Sequence, residues 1–285
     1  MTVKETLAEL VNIDSVSSRS NTDIIQYLEK RCEALNLKTK RFAYRDELGI
    51  EKINLVALAG TEFSPDTNIE LALVGHTDTV PYDPNWTEAT TLTERDGKLY
   101  GRGSCDTKGF IAAALTAVET LDLSRLNKPL ALILTADEEI GLRGAKVAAQ
   151  YFDPALAITI DSTPANDLPD HDGNENISYN TKLGLGPAIY IADGSTLHDP
   201  RLVRFLQAVA TAERIPHQLR QPGGGGTDSA AIQRALSGIP TVSISVPHRY
   251  THSPVSLSRV DDWKHTLNLL HIALRKIKPD LIKVP

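Results

Sequence analysis

Cysteine is scarce in this chain: Cys32 and Cys105 are the only two among 285 residues. Two thiols cannot form a disulfide framework, and neither sits in a C-x-x-C pair, so a reducing compartment fits. Long apolar runs are also missing. None approaches the roughly 18 residues that a membrane helix needs, and the start, MTVKETLAELVNI, lacks the basic-then-apolar layout of a secretory leader. The expected location is the cytoplasm, with no membrane partner. Basic residues number 30 against 36 acidic ones, for a net charge of -6. Without a clustered basic face there is no electrostatic footprint for nucleic acid. There is no G-x-S-x-G, so a serine hydrolase is unsupported, and the glycine run Gly223 to Gly226 lacks the lysine of a phosphate-binding loop.

What remains is the composition of an ordinary globular protein, 41% hydrophobic and 23% charged, with a strong alternation of element types. Ile24, Leu28, Cys32 and Leu35 mark one face of a helix, with Asn21 or Thr22 available as its cap. INLVALAG and IELALVGH read as strands. TLTERDGKLYG carries Asp96-Gly97 between two alternating arms, which predicts a hairpin. TKGFIAAALTAVETL reads as a buried helix, PLALILTA as a buried strand, RGAKVAAQYF as a helix and ALAITI as a strand. The second half continues with the strand GPAIYIAD, a helix from Pro200 to about Arg214, the helix TDSAAIQRAL and the strand PTVSISV. A last helix places Trp263, Leu267, Leu270, Leu274 and Ile277 on one side. Apolar strands alternating with helices predict an α/β protein: a three-layer α/β/α sandwich around a central, mostly parallel mixed sheet. Residues 162 to 181 break the pattern as a polar loop.

Ligands of such sheets bind outside the carboxyl ends of the strands. LALVGHTD ends in His76 and Asp78, ALILTADEE in Asp137, Glu138 and Glu139, ALAITID in Asp161, and SISVPHRYTH runs on to His248 and His252. Asp106 precedes a helix in GRGSCDTKGF. His76, Asp106, Glu139, Asp161 and His252 offer mixed nitrogen and oxygen ligation. That set suits zinc or a neighbouring divalent ion, and a bridging carboxylate allows two metals roughly 3.5 to 4 Å apart. Several carboxylates crowded at a buried strand end would otherwise repel one another.

GHTDTVP, GRGSCDTKGF and TADEEIGLRGA resemble three sequential motifs of the zinc amidohydrolase family that contains acetylornithine deacetylase and succinyl-diaminopimelate desuccinylase. KLGLGPAIYIADGSTLHDPRL, GGGGTDSAAI and RYTHSP are similar to motifs of the related cobalt- or zinc-dependent aminopeptidases, which include glutamyl and deblocking aminopeptidases. Together these stretches run from about Leu71 to Pro254. The resemblance implies a single zinc-peptidase-like catalytic domain over residues 1–285 holding two divalent ions, zinc first, with cobalt or manganese as alternatives. It implies that His76 and Asp161 bind one ion and Glu139 and His252 the other, with Asp106 bridging. Glu138 would be the general base, and Asp78 the carboxylate that orients His76. The implied reaction is hydrolysis of an amide bond in a small N-acyl amino acid. The alternative is removal of the N-terminal residue of a short peptide. A different class, a catalytically silent metal-binding recognition domain, stays open, although a non-ligating base at Glu138 argues against it.

The chain departs from both groups of relatives. The deacetylases insert a lid and dimerisation domain after the position of Asp161, the aminopeptidases a domain nearer the start, and neither insertion has room here. A monomer is therefore expected. The deacetylase lid also supplies an oxyanion-stabilising histidine and a carboxylate-binding arginine, which cannot be carried over. His248, Tyr250 and His198 are the candidate replacement donors, and Thr227 and Asp228, which open a helix after the glycines, are further substrate-site candidates. Asp167, Asp170, Asp172 and Glu175 make the polar loop acidic enough to attract a cationic substrate.

Overall fold

Alternate residues of the central strands face two separate apolar layers, which fixes the architecture. In a computed structural model, β2 (Glu51–Ala59), β3 (Leu71–His76), β6 (Leu130–Thr135) and β7 (Leu156–Pro164) are buried almost throughout. Leu55, Leu73, Leu132 and Ile158 pack into one core, and their neighbours Val56, Ala72, Ile133 and Ala157 into the other. The period of two along a strand sends successive side chains to opposite faces, so both faces must be covered. The structure describes residues 1–282 apart from 65, 66, 68, 127, 152–153, 170, 175–179, 222–224 and 254–255. The predicted positions Asp170, Glu175, Gly223, Gly224 and Pro254 therefore lie outside the described residues.

The larger layer holds α1 (Val3–Asn12), α2 (Thr22–Ala34), α3 (Lys108–Glu119), α5 (Pro200–Ala212) and α7 (Val260–Lys276). The thinner one holds α4 (Arg143–Ala148) and α6 (Ser229–Gln233). The sheet runs β1 (Lys38–Arg45), β2, β6, β3, β7, β10 (Thr241–Arg249), β11 (Leu257–Arg259), β5 (Lys98–Tyr100), β4 (Thr93–Arg95). Beside β10, β8 (Ala188–Tyr190) pairs with β9 (Gln218–Arg220). Strands β6, β3, β7 and β10 are mutually parallel, while both flanks are antiparallel. The parallel centre delivers its carboxyl ends to one edge, where the predicted ligands lie. Among the described residues no helix is long and apolar enough to cross a membrane.

The predicted hairpin forms at Asp96 and Gly97, whose φ angles of 53° and 70° give the doubly positive turn that suits strand twist. The helix beginning at Ser229 stops at Gln233, earlier than its apolar pattern suggests. Asn21 stands at the N-cap position of α2 but makes no capping bond. Its amide instead brackets Ile53, accepting from the backbone N–H at 2.9 Å and donating to the carbonyl at 2.8 Å. It thus ties the helix start to β2. The strand β1 was not foreseen, because the alternation in KTKRFAYR is carried by charged residues on an edge whose burial is only partial.

Candidate metal centre

His76 closes β3, opposite Thr135 of β6, and its side chain is 2% exposed. Its Nδ1 lies 3.0 Å from the carbonyl oxygen of Asp78 and 3.6 Å from the carboxylate of the same residue. That leaves Nε2 facing inward, 3.2 Å from Asp106, 3.7 Å from Asp161 and 3.9 Å from Glu138. On the other side His252 places Nε2 3.0 Å from Glu139 and 3.3 Å from the second oxygen of Asp106. Asp106 therefore stands between two imidazoles, one oxygen toward each. Ligand atoms of His76, Asp106 and Glu139 all lie within 4.8 Å of one another, close enough to hold one metal ion.

Electrostatics mark the cluster as strained by its own charge. Burial, reinforced by the charges of Asp161, Asp228 and Asp106, pushes Glu138 well above the usual carboxylate range against the opposing pull of His76. Burial likewise raises Glu139 and Asp161. Asp106 goes the other way: despite burial, hydrogen bonds from His252 and His76 hold it well below its usual value. His252, bonded to Asp106 and Glu139, rises to about 10. Buried carboxylates need cations to compensate them. Glu139 also has a buried oxygen, Oε1, without a hydrogen-bond partner. Mixed imidazole and carboxylate donors with an oxygen left over fit a divalent metal ion.

The turn carrying Glu138 and Glu139 is held from beneath. Asp137 adopts φ 56°, a left-handed conformation rare for residues with a side chain. Its carboxylate accepts from Tyr44 Oη at 2.9 Å and lies 3.1 Å from the ammonium of Lys52. Lys52 is itself 1% exposed and donates to the carbonyls of Ser17 and Arg19. Asn54 accepts from the Ala136 N–H at 3.0 Å and donates to the Gly144 carbonyl at 3.2 Å. The Asp78 carboxylate accepts from the Glu138 N–H at 3.1 Å and from Ser17 Oγ at 2.7 Å. Asp78 thus grips both the imidazole, through its backbone carbonyl, and the backbone of Glu138. Ser17, Lys52 and Asn54 escaped the sequence reading. The available signal was two polar residues, Lys52 and Asn54, at alternate positions of an otherwise apolar strand.

The remaining candidates sort by distance from the cluster. His248 is fully buried, its ring nitrogens make no hydrogen bond, and burial, opposed by the charge of Asp106, lowers it to about 4, so its imidazole is neutral. Tyr250 is 45% exposed. His198 packs edge-on against Tyr190, 5.4 Å between rings, and 3.4 Å from Asp193, an environment separate from the cluster. Thr227 joins a buried hydroxyl group with Ser243, Ser229 and Thr159. Asp228 accepts from Thr135 Oγ1 at 2.6 Å, and burial raises it to about 7. In the polar loop, Asp167 is engaged by Arg249 at 2.7 Å and by the Leu183 N–H at 3.0 Å, so it is committed to holding the loop rather than to attracting a cation.

An α/β/α sandwich of this kind is shared with known peptidases. The structure aligns over 99% of this chain and 96% of the other with an aminopeptidase from the archaeon Desulfurococcus kamchatkensis, at TM-score 0.80 and 20% identity. It also aligns with the TET1 peptidase of Pyrococcus horikoshii, which can assemble into a tetrahedron or a large octahedral shell, at TM-score 0.71, 19% identity and coverage of 95% and 98%. These likenesses establish the fold. Residues 78–269, well over half of the chain, match the M42 glutamyl aminopeptidase family model, and the chain belongs to that family. It is also 51% identical over 144 residues to the acetylornithine deacetylase of Myxococcus xanthus, covering 50% of this chain but 37% of that protein. The chain thus spans well under half the length of that relative.

Proposed function

We propose that the chain is a metal-dependent hydrolase of an amide bond in a small N-acyl amino acid or peptide. The observation that carries this reading is Asp106, whose two oxygens each face a different imidazole at 3.2 and 3.3 Å. In this reading His76 and Asp161 hold one divalent ion and Glu139 and His252 the other, with Asp106 shared and zinc the first choice. Such ions supply Lewis acidity, polarising the scissile carbonyl and acidifying water.

The chain's own groups then do the rest. Glu138, inside the cluster yet outside the proposed ligand set and 3.9 Å from His76 Nε2, takes a proton from the attacking water and returns it to the leaving nitrogen. Asp78 fixes the angle of His76 and the backbone of Glu138 together. Neutral His248, fully buried within range of the Asp106 charge, is the preferred donor to the developing oxyanion, ahead of half-exposed Tyr250.

The test measures acetate release from N-acetyl amino acids beside amino-acid release from aminoacyl anilides, with Glu138→Gln as control. Turnover of either substrate class that disappears in Glu138→Gln, with metal content unchanged, is the expected result. Equal activity in both proteins would remove Glu138 from the mechanism. The expected monomer contrasts with the shells formed by the TET1 relative; sedimentation of the chain decides between them.

A further inference from the structure

One charged group on the wall of the cluster has no task in the mechanism. Arg102, in the loop that follows β5, is 7% exposed, and its Nε is buried without a hydrogen-bond partner. It lines the same pocket as Asp106, Glu139, His252 and Trp86. Its guanidinium carbon sits 5.5 Å from the centre of the Trp86 ring, and Tyr82 meets that ring edge-on at 6.4 Å. Tyr82 is tied in turn to Asp14 at 3.1 Å. The backbone around the arginine is bonded as well: its N–H donates to the Ala89 carbonyl at 2.6 Å. A Cβ at Gly101 would fall 2.8 Å from Val11, and one at Gly103 2.8 Å from Thr79. Both glycines flanking the arginine are packed too closely to carry a side chain.

A buried guanidinium whose Nε has no acceptor is incomplete until an anion meets it. Asp106 and Glu139 act on Arg102 as nearby charges, but in the proposed function both are spent on cations. Among the described residues lining this pocket, Arg102 is the one charged group outside the cluster, so a free substrate amine finds no spare carboxylate there. A substrate carboxylate finds a spare cation.

We propose that Arg102 is a specificity-determining residue that binds the free carboxylate of the substrate, directing the site to N-acyl amino acids rather than to peptide N-termini. The proposal rests on the hydrolase reading above for what the site does. The planar fork suits a carboxylate, whereas a lysine at the same place would offer a point charge without the paired geometry.

The test is a binding measurement that needs no turnover. Calorimetry on the zinc-loaded chain carrying Glu138→Gln compares an N-acetyl amino acid with its carboxamide, with Arg102 intact, as Arg102→Lys and as Arg102→Gln. With Arg102 the acid should bind about 10- to 100-fold more tightly than the amide, the range expected of a charge-assisted hydrogen-bond pair. Arg102→Gln should erase the gap through loss of acid affinity, and Arg102→Lys should restore part of it, which also shows that the loop still folds. Equal binding of acid and amide in the presence of Arg102, an equal loss of both in Arg102→Gln, or no binding of the acid at millimolar concentration would overturn the proposal. Hydrolysis assays separate the two readings: turnover of aminoacyl anilides alone would remove the substrate assignment and leave the hydrolase standing.

Discussion

The two halves of the proposed metal cluster are built from the same residue types but by different means. His76 and Asp161 lie within central parallel strands, with side chains 2% and 10% exposed, so the sheet fixes both backbones. His252 sits in the segment after β10 at φ 60°, its side chain 52% exposed. Its partner Glu139 stands on a turn. One half is set by folding itself, and the other is a flap of short loops laid over it. The lesson is that a sheet edge provides rigid positions on one side and leaves the other to loops, beside Arg102 and Trp86.

The comparison can be broken most severely at the residue between the halves. Glu138→Gln should lower kcat by about 10²- to 10⁴-fold, the usual contribution of a general acid-base group, while elemental analysis shows metal retained. A metal-free denaturation series addresses the halves directly. His76→Ala strips buried carboxylates of their central partner and should cost about 3–5 kcal/mol. His252→Ala, at a half-exposed pair, should cost about 0–1 kcal/mol; equal losses in urea titration would erase the distinction. Gly144→Ala probes the floor beneath the Glu138 turn, where a Cβ would lie 2.3 Å from the Ala136 carbonyl and 2.5 Å from Asn54 Oδ1. Overpacking of this kind costs about 1–3 kcal/mol, and its loss of kcat should exceed its loss of substrate affinity.

A further effect concerns pH. Lys108 ties the start of α3 to the end of α1 by donating to the Ile13 carbonyl at 2.6 Å. Burial, aided by the charge of Arg102, lowers its ammonium to about 7 from 10.5. The unfolded chain therefore holds this proton more tightly than the folded one between pH 7 and 10.5. The lysine's contribution to stability rises with pH across that window. Melting curves should show this slope, and Lys108→Met should remove it.

Much of this was legible in the sequence because strand ends leave a sharp signature: an apolar run followed at once by His76, by Glu138 and Glu139, or by Asp161. The ligand set followed from those ends and from the resemblance. The support beneath it was not legible. Lys52 meets Asp137 across 85 residues of sequence, Ser17 meets Asp78 across 61, and no local pattern encodes such pairs. Arg102 was hidden for another reason: inside GRGSCDTKGF it reads as part of the motif that presents Asp106, and only its burial without a partner sets it apart. The His198 assignment had no support from geometry either, since a histidine near a strand end can equally pack against a tyrosine, as it does here against Tyr190.

The central claim is a pair of ions sharing Asp106, and metal stoichiometry measures it. Zinc content determined by mass spectrometry after equilibration and desalting should be about two equivalents in the wild-type chain and in Glu138→Gln, falling to one or none in Asp106→Ala. Full occupancy in Asp106→Ala, or no bound metal in the wild-type chain, would contradict the account.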